Sequence, residues 1–136
     1  MGNRRKAREC ALQILYQMDL SGTSEEEALA SYWQCFEYPE EVAEFAGELV
    51  RGVSAHREEI DRLIQDSSRH WKLDRMARVD RNILRLAVYE LLHHPEIPKK
   101  VTLNEAIEIG KRYGSEDSSA FINGILDHIC LNVAKE

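Results

Sequence analysis

Cysteine is scarce in this sequence: Cys10, Cys35 and Cys130 are an odd number, far apart, with no CxxC pair. That spacing offers neither a disulfide framework nor a zinc-binding set, and it casts the three thiols as small core hydrophobes of a reducing compartment. No apolar run approaches the roughly 20 residues that a membrane helix needs. The charged N-terminus is not followed by an unbroken apolar segment, so no secretory signal is expected. A myristoylation reading of Met1-Gly2 fails at Lys6, where that motif takes Ser or Thr. The expected location is therefore the cytoplasm. Histidines 56, 70, 93, 94 and 128 contain no HExxH. His93 and His94 are adjacent, so on a helix they point about 100° apart and do not grip one ion together. No metal and no cofactor are expected. Catalytic signatures are missing too: there is no GxSxG, no P-loop, no GxGxxG and no DxDxDG loop. The acidic groups at Glu25-Glu26-Glu27 and Glu116-Asp117 fall at helix starts, where they complement the helix dipole. The expectation is a protein that is not an enzyme.

What is present is helical periodicity, without any stretch of period-two alternation. An all-α fold over one domain, residues 1–136, is expected. Helix 1 runs from about Arg4 to Leu20, with Ala7, Ala11, Ile14, Leu15 and Met18 on one face, and Ser21-Gly22 ends it. That face fits the core or, in part, a homodimer seam. Ser24 and Glu27 make a capping box for helix 2. Helix 3 starts at Pro39 and keeps its apolar period to about Ser67, with Gly47 and Gly52 suited to close approach by a neighbour. Residues 68–78 are irregular, with a short helix near Leu73–Ala77. From Val79 to Leu92 the chain is apolar nearly all round, which marks a central helix. Glu90 inside that run needs a buried partner, a backbone amide or an arginine. Thr102 and Glu105 read as a second capping box, Gly114 as the end of that helix, and Ser118 or Ser119 as the start of the last one.

Charge is distributed unevenly. The chain carries 18 Lys and Arg against 24 Asp and Glu, a net charge of -6. Four of those cations, Arg4, Arg5, Lys6 and Arg8, stand in the first eight residues with no acid among them. Cations in a first helical turn oppose the macrodipole at roughly a few tenths of a kcal/mol each, and clustered they repel one another. Helix stability does not call for them. An anionic partner does, nucleic acid first among them, with a solvated tail or an acidic surface as the other readings. A second basic row, Arg69, Lys72, Arg75, Arg78, Arg81 and Arg85, is either a solvated face or a docking face for an acidic partner. Tyr16, Tyr113 and Phe121 fit core packing, or stacking against unpaired bases. Phe121 stands out because it follows the polar segment Ser115–Ser119.

The runs ILRLAVYEL (83–91), NEAIEIGKRYG (104–114) and EDSSAFINGILD (116–127), after the opening RRKARECALQILYQMDL, resemble the bacterial transcription antitermination factor NusB family over essentially the full length. The resemblance implies about seven helices in two packed helical halves. It implies no catalysis, but binding of a single-stranded RNA element, boxA, together with the ribosomal protein NusE and, beyond it, other Nus factors and RNA polymerase. It assigns Arg4, Arg5, Lys6 and Arg8 as RNA contacts, with Glu116, Asp117, Ser118 and Phe121 near the same RNA surface. It makes Asp80, Arg81 and Arg85 candidates for the protein partner. Two rival readings are a stand-alone relative of the helical N-terminal part of ribosomal RNA cytosine methyltransferases and an adaptor that binds protein only.

Overall fold

The structure, a computed structural model, describes residues 2–135, which form seven α-helices and one 3-10 turn, with no strand among the described residues. Helix α1, Gly2–Ser21, ends where Gly22 turns left-handed at φ +72° and its amide donates to the Met18 carbonyl. Helix α2, Glu25–Cys35, opens on the expected box: the Ser24 side chain accepts from the Glu27 amide and donates to the Glu27 carboxylate. Of the three cysteines only Cys10 is buried. Cys35 is exposed at the end of α2 and Cys130 is half-buried, so the reading of all three as core residues holds for one.

The long third helix expected from periodicity is two helices, α3 (Glu40–Ala55) and α4 (Arg57–Ser67), broken at His56. The reason lies in what each buries. The α3 face, with Val42, Phe45, Ala46 and Leu49, packs mainly on α1. Ile60 and Ile64 of α4 serve the helices that follow. One straight helix cannot face both ways. Gly52 is needed for space: a Cβ there would lie 2.1 Å from the Tyr89 ring, so the glycine lets α3 and Tyr89 touch. Gly47 has no such role, since a Cβ there meets only the Arg51 side chain of its own helix.

After the irregular segment and its 3-10 turn, Leu73–Arg75, comes α5, Arg78–His93, buried without interruption from Asn82 to Leu91. Helix α6, Lys99–Tyr113, begins directly after Pro98, one turn earlier than the Thr102 box implied. Proline fixes the backbone for a helix start, so Thr102 falls inside the helix and is buried, donating to the Glu90 carboxylate at 3.2 Å. Helix α7 is Ser118–Cys130. Gly114 separates α6 from α7 by space rather than by a left-handed turn. Its φ is -94°, and a Cβ would come within 2.3 Å of the Ser118 hydroxyl.

Side-chain partners give the packing order. Arg8 meets Glu90 and Asp19 meets Asn82, so α1 runs antiparallel to α5. Thr102 also meets Glu90, so α6 sets out from that same end. Ser118 meets Asp80 while Lys135 reaches Glu90 and His94, so α7 runs alongside α5 in parallel. The N-terminal half is α1–α3 and the C-terminal half is α4–α7. Helix α5 packs against both through one continuous core. The apolar face of α1, with Ala7, Ala11, Ile14 and Leu15, belongs to that core.

Candidate nucleic-acid interface

The four N-terminal cations separate on folding. Arg8 is 5% exposed and faces Glu90, 1% exposed. Its Nε and Nη2 donate to the two carboxylate oxygens at 2.6 and 2.9 Å, a forked pair in the middle of the core. Arg8 is thus an internal residue and not a surface cation. Glu90 has the arginine partner its setting required. Helix stability, which seemed to have no use for these cations, places this one.

The other three stay at the surface, each with a neighbour. The Arg4 guanidinium lies 4.2 Å above the Phe45 ring. Arg5 donates from Nε and Nη2 to Glu105 at 2.9 and 2.6 Å. Those hydrogen bonds hold the Glu105 carboxyl below the usual carboxylate range, against partial burial. Lys6 is 3.5 Å from Glu9 and also sits near the Tyr38 ring. Glu9 is itself buried and receives a hydrogen bond from the exposed Arg112 at 3.1 Å. Folding therefore brings Arg112, 103 residues downstream of Glu9, to the same surface. Sequence reasoning missed it, because Lys111-Arg112 in the last turn of a helix is sufficiently explained by the dipole. Between α1 and the start of α6 lies an open cleft of about 560 Å³, lined by Arg4, Arg5, Ile97, Pro98, Val101 and Glu105. Its walls combine apolar surface with the guanidinium groups of Arg4, Arg5 and Arg8 and the carboxylates of Glu96 and Glu105.

The second candidate group sits elsewhere. Glu116 and Asp117 are exposed in the turn before α7. Ser118 is buried and structural: its hydroxyl donates to Asp80 at 2.6 Å and accepts from the Ser115 amide at 2.8 Å. Half-buried Phe121 lines a groove of about 340 Å³ with buried Met76 and exposed Trp71, Arg75 and Asp117. Asp80 and Glu90 are ten positions apart on α5, so the two groups lie about 15 Å apart along it. They are two stations, not one patch. Tyr16 and Tyr113 are half-buried, the latter beneath Arg112.

The residues assigned to a protein partner turn inward. Asp80 is buried against Ser118. Arg85, also buried, donates to Asp61 at 2.8 and 3.1 Å and to Asp19 at 3.3 Å. Arg81 bonds Asp19 and the Leu73 carbonyl. The basic row is broken accordingly. Arg69, Lys72 and Arg75 lie exposed in the irregular segment, whereas Arg81 and Arg85 brace α1, α4 and α5. Asp19 collects three donors. Burial pushes its carboxyl up, but the hydrogen bonds from Asn82 and Arg81 and the charge of Arg85 outweigh burial and hold it below the usual range.

Fold and site together define a class: an all-α protein in two packed halves, presenting a cationic helix end beside an open cleft. The chain belongs to the NusB family, whose model matches residues 5–130. It is 50% identical to the transcription antitermination protein NusB of Myxococcus xanthus over 139 residues, 99% of each chain. Among solved structures it resembles T. maritima NusB, with a TM-score of 0.87 and 39% identity, covering 96% of this chain and 92% of that one. It also resembles a chain in the crystal structure of antitermination factors NusB and NusE in complex with double-stranded RNA, with a TM-score of 0.84 and 30% identity, covering 95% and 96%.

Proposed function

We propose that this chain is a non-catalytic transcription antitermination factor of the bacterial cytoplasm, one domain throughout, that binds boxA-type RNA jointly with NusE within a larger Nus-factor complex on RNA polymerase. The observation that carries the RNA reading is the surface set Arg4, Arg5 and Lys6 beside the 560 Å³ cleft, joined by Arg112. These cations take phosphates, while Phe121 and the exposed Glu116 and Asp117 form a second station, about 15 Å away, within reach of an extended strand. Relatives named as antitermination proteins match over nearly the full length, and a structural relative is held with NusE and RNA. With three or four available cations on a chain of net charge -6, affinity for RNA alone is weak, and a protein partner completes the surface. Arg69, Lys72, Arg75 and Arg78 replace the half-buried Arg81 and the buried Arg85 as the exposed cations from which such a partner chooses.

Anisotropy with a labelled boxA-like single strand, with and without NusE, tests this reading. Three phosphate contacts give a slope of log K against log salt near -2, about 0.7 per contact. Replacing Arg4, Arg5 and Lys6 by Ala removes most of that slope. A slope unchanged in the triple variant would sink the assignment. A duplex of the same sequence in parallel decides between single- and double-stranded recognition.

A further inference from the structure

Histidines that looked unrelated in sequence meet at the break between α3 and α4. His56 is the residue at the break, Glu59 follows three positions on, and His93 ends α5. The two imidazole rings stack with centroids 4.0 Å apart. The Glu59 oxygen Oε1 lies 3.9 Å from His56 Nδ1 and 3.7 Å from His93 Nε2, and all three ligand atoms fall within 4.8 Å of one another. One carboxylate oxygen thus stands beside one nitrogen of each ring.

We propose that His56, Glu59 and His93 form a binding site for a single divalent transition ion of the Zn²⁺ class, clamping the α3–α4 break to the end of α5. Bonds of about 2.0–2.1 Å in tetrahedral geometry hold ligand atoms roughly 3.3 Å apart. The two spacings to Glu59 exceed that by about half an ångström, and the separation of the two nitrogens, within 4.8 Å, exceeds it by at most about 1.5 Å, distances that rotation of three solvent-exposed side chains spans. Two imidazole nitrogens and one carboxylate oxygen leave a fourth position for water, and they favour Zn²⁺, Ni²⁺ or Co²⁺ over Mg²⁺ or Ca²⁺, which take oxygen. Imidazole ligates in its neutral form, the ordinary form of histidine above about pH 6.5. The lone pairs lie in the ring planes, so binding the ion turns His56 and His93 out of their stack until the two nitrogens converge. His94 takes no part, because its ring is engaged by Glu48 and Glu96.

The test is calorimetric titration of the chelator-treated full chain with ZnCl₂. The expected result is one ion per chain with a Kd of order micromolar. His56→Ala and His93→Ala should each weaken binding at least about thirtyfold, and Glu59→Gln about tenfold. His128→Ala and Cys35→Ser should bind as the parent does. Co²⁺ in place of Zn²⁺ should give visible bands of a nitrogen–oxygen site with no thiolate charge-transfer band. Circular dichroism checks that each variant keeps its helices. A titration that does not saturate, binding that survives both histidine replacements, or a thiolate band would each overturn the proposal.

Discussion

Replacing Arg8 separates two accounts of the basic N-terminus. If Arg8 touched phosphate, its loss would weaken RNA binding and flatten the salt slope by about 0.7. The structure instead buries it against Glu90, so removing either partner strands a charge in the core. Breaking a buried pair costs about 3–5 kcal/mol. For 136 residues, an unfolding entropy of about 2.1 cal/mol/K per residue sums to about 0.29 kcal/mol/K. Arg8→Met or Glu90→Met alone should therefore lower Tm by about 10–17 °C. The double replacement removes both charges, leaving only the Thr102 hydroxyl without its acceptor and the 3.5 Å contact to Glu105 lost. It should recover most of the loss and end within about 5 °C of the parent. The assays are thermal unfolding followed by circular dichroism, and RNA anisotropy on the folded double variant, where the slope should match the parent's. An Arg8→Met chain that melts within about 2 °C of the parent yet loses salt-dependent RNA affinity would refute the reasoning.

Two other perturbations test the packing and the electrostatics. Gly52→Ala drives a methyl into the Tyr89 ring and should cost about 1–3 kcal/mol, or about 3–10 °C in Tm, with a smaller loss in a Tyr89→Leu background. For Asp19, the folded carboxyl lies below its unfolded value near about 3.9, so its stabilisation is complete above that value and is lost as pH falls through the lower folded one. Asp19→Asn should be less stable than the parent at pH 7, and its stability should change less between pH 5 and pH 2 in urea titrations.

The helices were readable because each buries one stripe, and α5 because it buries nearly all sides. The break at His56 left no mark in the apolar period, and hydrogen bonds flank it on both sides, from the His56 amide to Gly52 and from the Ile60 amide to the His56 carbonyl. Pro98 misled in the opposite direction, since the Thr102–Glu105 pattern imitates a cap while both side chains serve longer-range partners. The candidate site was legible in Arg4, Arg5 and Lys6, whose isolation from acids is local. It was not legible in Arg8, Arg81 and Arg85, whose partners lie far along the chain. The one local clue was the other end of the pair: a carboxylate at position 90 amid apolar neighbours demands a cation from somewhere.

The Arg8–Glu90 pair also sets a schedule for synthesis. The two residues are 82 positions apart. At about 5–20 residues per second, the ribosome delivers Glu90 roughly 4–16 s after Arg8. Over that interval the nascent first helix carries a guanidinium meant for the interior with no counter-charge to close on. It docks for good only when α5 has emerged, so the cationic surface at its start is assembled late in translation.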